Sequence, residues 1–219
     1  MLYIVATPIG NLGDITLRAL ETLKNVDLIL CEDTRVTKKL LFHYEITKPT
    51  SSFHEHSDER KIASLIERLR TGENMALVTD AGTPSLSDPG NVLVGAAIEA
   101  GIGVVPIPGA SALTALVSVA GVDMREFTFL GFPPHKKGRQ TFFREVGESK
   151  IPVMYYESPH RVIKNLDLLQ ELAPSKKIIL GRELTKIFEE IVRGDTESIL
   201  DHFEKYPEKI KGEFTIIVY

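Results

Sequence analysis

Met75-Ala76-Leu77-Val78, followed at once by Thr79-Asp80-Ala81-Gly82-Thr83-Pro84-Ser85-Leu86-Ser87-Asp88-Pro89-Gly90, is the stretch that sets the fold class. The four apolar residues read as a buried strand. Ten of the next twelve are Gly, Pro, Asp, Ser or Thr, so the backbone leaves the strand without settling into a helix. The run Val92 to Ala100, closed by Gly101, then reads as a helix. Open α/β sheets bind ligands at the carboxyl ends of their strands. A loop there with two carboxylates, four hydroxyls and free backbone amides has the character of a small-molecule site. An ordinary polar strand-to-helix connection is the alternative.

Outward from that stretch, short apolar runs alternate with helical patterns. Leu2 to Ala6 reads as a strand, and Asp14 or Thr16 is placed to cap a helix bearing Leu17, Leu20 and Leu23. Val26 to Cys31 is a second strand, with Val36, Leu40 and Leu41 marking the next helix. Ile62, Leu65, Ile66 and Leu69 recur at helical spacing as far as Gly72. Val104 to Ile107 completes a series that predicts a parallel α/β sheet. Beyond the small-residue helix of residues 110–120 the texture changes. Phe127 to Leu130, Ile151 to Tyr156, Lys177 to Leu180, Glu189 to Arg193 and Phe214 to Tyr219 are strand candidates. One helical stripe (Val162, Ile163, Leu166, Leu169) accompanies them. More strands and fewer helices predict a mixed sheet. The expected division is an N-terminal α/β domain over 1–117 and a C-terminal α/β domain over 118–219. Without a long Gly/Ser linker, the two are expected to share a fixed cleft.

The chain has 219 residues, 43% hydrophobic and 26% charged, which is a soluble globular composition. A net charge of −4 announces no overall basic field, though a local patch suffices for RNA. Cys31 is the only cysteine, which excludes an internal disulfide and a cysteine-rich zinc site, so a reducing cytoplasm is the expected home. Leu2 to Val5 is interrupted by Pro8, Asn11 and Asp14 before a signal peptide or membrane span could form.

Four loops stand where strands should end. Thr7-Pro8-Ile9-Gly10-Asn11-Leu12-Gly13-Asp14 has two glycines but neither GxGxxG nor GxxxxGK[ST], so it reads as a tight turn that lets a ligand approach backbone. Glu32-Asp33-Thr34-Arg35 offers two acids and an arginine for polar substrate or a proton; alternatively Asp33 or Thr34 caps a helix, with Glu32 and Arg35 solvated. The Thr79 loop is the third. The fourth, Pro108-Gly109-Ala110-Ser111-Ala112, exposes amides at a helix start and leaves room for a flat group such as adenine. In the second half, residues 135–144 carry Lys136, Lys137, Arg139 and Arg144 without an acid and with adjacent aromatics, a phosphate-contact pattern or a solvated basic loop. Ser158-Pro159-His160-Arg161 and Arg182-Glu183-Leu184-Thr185-Lys186 each follow a strand. His54-Glu55-His56 has zinc-ligand chemistry, but no third ligand cluster accompanies it, and no metal is expected.

These segments, taken in order with Ser52-Phe53-His54-Glu55-His56, resemble the ribosomal RNA small subunit methyltransferase I family. That family lies within the tetrapyrrole (corrin/porphyrin) methylase superfamily, and seven collinear motifs spanning the chain carry the likeness. The resemblance implies a two-domain class III methyltransferase fold with a parallel N-terminal sheet, a mixed C-terminal sheet and the cofactor in the cleft. It implies S-adenosyl-L-methionine as donor, the 2′-hydroxyl of a cytidine in small-subunit (16S) ribosomal RNA as acceptor, and a homodimer. The superfamily's Gly-Asp-Pro cofactor loop falls on Thr79-Asp80-Ala81, so its glycine and proline are absent here. The implied donor-binding residues are Pro8, Ile9, Asp80, Ala81, Gly82, Thr83, Ser111, Ala112, Tyr156, Glu213 and Phe214.

A ribose hydroxyl is a poor nucleophile at neutral pH, so a proton acceptor is expected among Glu32, Asp33, Glu183 and Lys186, the last only if its pKa is depressed. Arg35 and Arg161 are candidates to hold phosphate bidentately, with Lys136, Lys137, Arg139 and Arg144 along the RNA backbone. Family members often continue past the last strand into a small helical domain, whereas this sequence stops at Tyr219. RNA affinity is then expected to rest more on the cleft, the basic segment and the dimer surface. A small-molecule methylase of the corrin or diphthamide kind is the alternative within the fold. A non-catalytic RNA-binding module for ribosome assembly is the alternative outside it.

Overall fold

A computed structural model describes residues 1–54, 57–86 and 90–219, which group into two units, Met1–Ser111 and Ala112–Tyr219. In the first unit, β1 (Leu2–Val5), β2 (Leu28–Cys31), β3 (Thr50–Ser52), β4 (Met75–Leu77) and β5 (Val104–Ile107) form one sheet in the order β3-β2-β4-β1-β5. Every pairing in it is parallel. Four helices connect these strands: α1 (Leu17–Asn25), α2 (Thr34–His43), α3 (Glu59–Arg70) and α4 (Gly90–Glu99). From β1 the chain steps to β2 and on to β3, then returns to β4 and proceeds the other way to β5. Connections of one hand therefore place α1 and α2 on one face, α3 and α4 on the other.

The two cores agree with this winding. Ala19, Leu23 and Leu41 pack with Val5, Ile29, Cys31, Ala76 and Val78, whereas Leu65, Ile66, Leu69, Leu93 and Ala97 pack with Leu2, Leu30, Met75 and Leu77. Successive strand residues point to opposite faces, and both faces are covered, so these strands read as unbroken apolar runs. Thr16, rather than Asp14, caps α1 by accepting from the Ala19 N–H at 3.1 Å. β3 was not anticipated: its residues are polar, and pairing with β2 is what makes them a strand.

In the second unit, α5 (Ala112–Ser118) precedes β6 (Thr128–Phe129), α6 (Arg139–Glu148), β7 (Val153–Glu157), α7 (Val162–Leu172), β8 (Lys177–Arg182), β9 (Glu190–Asp195), α8 (Thr196–Lys205) and β10 (Phe214–Val218). The sheet order is β6-β7-β10-β8-β9, with β6–β7 parallel and the other pairs antiparallel, the mixed sheet expected. Helices α6, α7 and α8 cover one face through Phe143, Val146, Leu166, Leu169, Ile199 and Phe203, packed on Tyr155, Leu180 and Ile216.

The expectation of fewer helices here is corrected, because α6 and α8 were hidden. The cations of residues 136–144 masked the apolar stripe Phe142, Phe143 and Val146, and α8 begins at an Asp195 cap that accepts from the Ser198 N–H at 2.9 Å. The division between units falls ahead of residue 117 because α5 packs with the second. Leu116 is fully buried, and a Cβ on Gly181 would lie 3.0 Å from its Cδ1. No helix among the described residues is long and apolar enough to cross a membrane.

Candidate functional site

Because every strand of the first sheet runs the same way, the loops after β1, β2, β4 and β5 emerge along one edge. The winding reverses between β1 and β4, which are neighbours, and such a switch point is where open α/β sheets hold ligands. The loop after β1 meets the loop after β4 at that point. Thr7 N–H donates to Gly82 O at 2.9 Å, Gly82 N–H donates to Thr7 O at 3.1 Å, and the Thr7 hydroxyl donates to Thr79 O at 3.0 Å. Gly82 has φ of +88°, in the left-handed region that glycine enters without steric cost. A Cβ there would lie 3.4 Å from Ile9 Cγ2 and 3.8 Å from Ala110 O.

Neighbouring loops are tied in as well. Asp80 Oδ1 accepts from the Asp33 N–H at 3.0 Å, and Thr83 Oγ1 donates to Ala110 O at 3.4 Å. A Cβ on Gly109 would come within 3.0 Å of Ala6 Cβ, so that loop runs close against β1. Pro8, Ile9 and Gly82 are buried, Thr83, Ser111 and Ala112 are half-buried and Ala81 is exposed. Four loops are thus bonded into one rim, with backbone approachable at glycines, which suits a small ligand at the switch point. Sequence reasoning did not single out the Thr7 hydroxyl, although Thr7 stood inside the quoted segment.

The acids at this edge differ in availability. Asp33 caps α2 by accepting from the Arg35 N–H at 2.8 Å, and its carboxylate is gripped by the Arg35 guanidinium at 2.6–3.1 Å. Those hydrogen bonds hold its pKa at about 2, which leaves little appetite for a substrate proton. In this arrangement Asp33 caps α2 and clamps Arg35. Arg35 spends one edge of its guanidinium on that clamp and is otherwise exposed. Glu32 is exposed in the turn between β2 and α2.

In the second unit, antiparallel pairing sets the start of β10 beside the ends of β7 and β8: Phe214 lies opposite both Glu157 and Arg182. Here Glu183 Oε1 accepts from Lys186 Nζ at 2.8 Å and from the Glu213 N–H at 2.9 Å, while Lys186 also donates to Glu213 Oε2 at 3.0 Å. Gly212, φ +86°, packs directly on the Glu183 side chain, where a Cβ would collide with it. Glu183 and Thr185 themselves have φ of +51° and +66°, strained values for residues with a side chain, and such strain clusters at functional loops.

Burial raises the Glu183 carboxyl, but hydrogen bonds from Lys186 and Glu213 outweigh it and leave the pKa below the ordinary glutamate value. Burial lowers Lys186, but the hydrogen bonds it donates to Glu183 and Glu213 leave it above the ordinary lysine value. The condition for Lys186 to act as a base is thus reversed, and it serves as a cation between two carboxylates.

Other predicted residues fall in different settings. The Phe214 side chain lies in the core: alternation along β10 turns it to the helices, where its ring meets Phe203 at 5.9 Å. Only its backbone is left for a ligand. Tyr156 is half-buried against Phe129 and Phe132, at 4.9 and 5.4 Å between centroids. Lys136, Lys137 and Arg144 are exposed and Arg139 is half-buried, whereas Phe142 and Phe143, the adjacent aromatics, lie in the core. Arg161 is only 15% exposed; Nε donates to Ser158 Oγ at 3.0 Å and lies 3.4 Å from Glu157 Oε1, and its terminal nitrogen donates to Pro133 O at 2.9 Å. It is a structural clamp in the first place. No group of three His, Cys, Asp or Glu suited to a metal occurs among the described residues; Glu55 and His56 lie outside them, as do Ser87, Asp88 and Pro89 of the opening loop.

Comparison with known proteins follows this geometry. Residues 1–200 match the family model of tetrapyrrole (corrin/porphyrin) methylases. A ribosomal RNA small subunit methyltransferase I from Leptospira biflexa is 45% identical over 221 residues, spanning 100% of this chain and 90% of that protein. One from Synechocystis is also 45% identical, over 100% of this chain and 78% of its own length. Among solved structures, a cobalt precorrin-4 methyltransferase superposes with a TM-score of 0.70 at 16% identity, covering 99% of this chain and 93% of that one. With the family model and full-length relatives in agreement, the chain belongs to the tetrapyrrole methylase family and, within it, to the ribosomal RNA small subunit methyltransferase I group.

Proposed function

We propose that this chain methylates the 2′-hydroxyl of a cytidine in small-subunit ribosomal RNA, with S-adenosyl-L-methionine as donor. The reading is carried by the full-length likeness to proteins of that name at 45% identity. The bonded rim around Thr7 and Gly82 suits the donor, with Pro8, Ile9, Asp80, Ala81, Thr83 and Ser111 around it. When bound, the donor supplies an electrophilic methyl group on a sulfonium. The chain's residues hold and orient, because positioning supplies much of the rate of an in-line displacement. With the donor bound, a new bond from the ribose oxygen to the methyl carbon would form as the bond from that carbon to sulfur breaks, and a carboxylate of this chain would take the hydroxyl proton. Of the four candidates Lys186 is protonated and Asp33 and Glu183 are both clamped with lowered pKa values; Glu183, on the strained loop, is the one tested below, with Glu32 as its rival. Lys136, Lys137 and Arg144 meet the RNA backbone. A homodimer in the cytoplasm belongs to the same reading.

Purified protein should transfer labelled methyl to ribose in small-subunit RNA, and label found only on a tetrapyrrole would overturn the acceptor. Asp80→Ala removes the acceptor that joins two rim loops, and S-adenosylmethionine affinity should fall about 10-fold by calorimetry. Unchanged affinity would exclude Asp80 from the donor site. The pH profile tests Glu183. Its lowered pKa keeps it ionised until the pH drops through that value, and protonation then removes the acceptor. The acid limb of kcat should therefore lie below the ordinary carboxylate range. A limb centred near ~7, where a tuned general base titrates, would exclude it.

A further inference from the structure

Phe132 is 52% exposed, in the short segment Gly131-Phe132-Pro133-Pro134 that follows β6. A single exposed ring is ordinary, and Phe42 and Phe188 are more exposed still, so what distinguishes Phe132 is how it is held. This ring is not loose: it lies 5.4 Å from Tyr156, which also meets Phe129 at 4.9 Å. The backbone beneath it is fixed at both ends. Gly131 takes φ of +65° and accepts from the Tyr156 N–H at 2.8 Å, and Pro133 O accepts from Arg161 at 2.9 Å. Two consecutive prolines lock their own φ angles, and the first also restricts Phe132 to extended backbone. Arg161 in turn is braced by Ser158 and the buried Glu157. The chain then runs directly into the exposed His135 and the exposed cations Lys136 and Lys137 ahead of α6, and residues 135–144 contain no acid. A half-exposed, pre-ordered aromatic face next to a cationic strip is the arrangement that binds single-stranded nucleic acid, with bases stacked on rings and cations following phosphates.

We propose that Phe132 is a stacking platform for an unpaired base of the RNA substrate, held in place by the Glu157–Arg161 clamp. The proposal rests on the RNA reading above and adds to it the residue that contacts the base. Pre-ordering matters because a ring already fixed loses little freedom when the base arrives. It also gives Arg161 a role consistent with its burial: it positions the segment that carries Phe132.

The chain has no tryptophan, so Phe132→Trp creates a single fluorescent reporter at the platform. Titration with oligocytidylate should quench the indole, and an abasic ribose-phosphate strand of equal length should not. Phe132→Ala should weaken RNA affinity about 5- to 150-fold, the range of one base stacked on an aromatic ring, with Phe132→Trp retaining it. Equal quenching by the abasic strand, or wild-type affinity in Phe132→Ala, would overturn the platform while leaving methyl transfer to RNA by the wild type intact. Failure of the wild type to bind or methylate RNA would overturn both readings. A change of oligomeric state in Phe132→Ala, seen by light scattering, would assign the ring to contact between copies and overturn the proposal as well.

Discussion

Glu157→Ala is expected to destabilise the second unit by about 3 kcal/mol, at the lower end of what removing one partner of a buried ion pair costs. Glu157 is 2% exposed at the end of β7. Its carboxylate accepts from the Ser158 N–H at 2.6 Å and from the Asn165 amide, and it faces Arg161. Alanine strands the Ser158 N–H and the Asn165 amide and takes the counter-charge from Arg161, and buried donors without acceptors are what make such losses large. Because Arg161 keeps Ser158 Oγ and Pro133 O, and is 15% exposed, the upper end of the range is not reached. Glu157→Gln keeps an oxygen for Ser158 and should cost about 1–2 kcal/mol. Denaturant unfolding checks this, and a Glu157→Gln midpoint equal to that of the wild type would mean that the charge contributes nothing.

Gly82→Val should weaken S-adenosylmethionine binding about 30-fold or more. A β-branched residue at φ +88° is a backbone outlier, at about 1–2 kcal/mol for the left-handed conformation alone. Its branches would extend toward Ile9 Cγ2, already 3.4 Å from the position of a Cβ. Relief of that strain breaks the paired Thr7–Gly82 hydrogen bonds, each worth about 0.5–1.5 kcal/mol. The two loops that meet at the switch point would part, and the donor would lose both walls. Gly82→Ala should show a smaller loss in the same direction. Calorimetric titration on protein shown to be folded by circular dichroism is the measurement. Retained affinity in Gly82→Val would place the donor elsewhere.

Not every site residue was equally legible. The loops after β1, β2, β4 and β5 announced themselves because Gly, Pro, Asp and Thr at strand ends have few other uses. Asp33 was readable only as an acid, since its two futures, proton acceptor and helix cap, use the same side chain. What separates them is the position of Arg35 two residues on, which holds its pKa at about 2. Lys186 was ambiguous for a related reason: burial and carboxylates push a lysine in opposite directions, and only the distances to Glu183 and Glu213 decide the balance. Phe142 and Phe143 looked like partners of the basic strip, but the stripe they form with Val146 belongs to α6 and faces the core.

The alternation of apolar runs with helical stripes, read from sequence, determined that the first half is a parallel α/β sheet, because burial on both faces leaves a local pattern. The ordered motifs likewise carried the family. Tertiary structure alone decided that Thr7 and Gly82 close the rim, that Glu157 braces Arg161, and that Phe132 is held with its ring half in solvent. Thr7 and Gly82 lie far apart in sequence and meet only because β1 and β4 are adjacent in the sheet. Local patterns record which side of an element is apolar, but a contact between distant loops is set by strand order, and strand order is a property of the folded sheet.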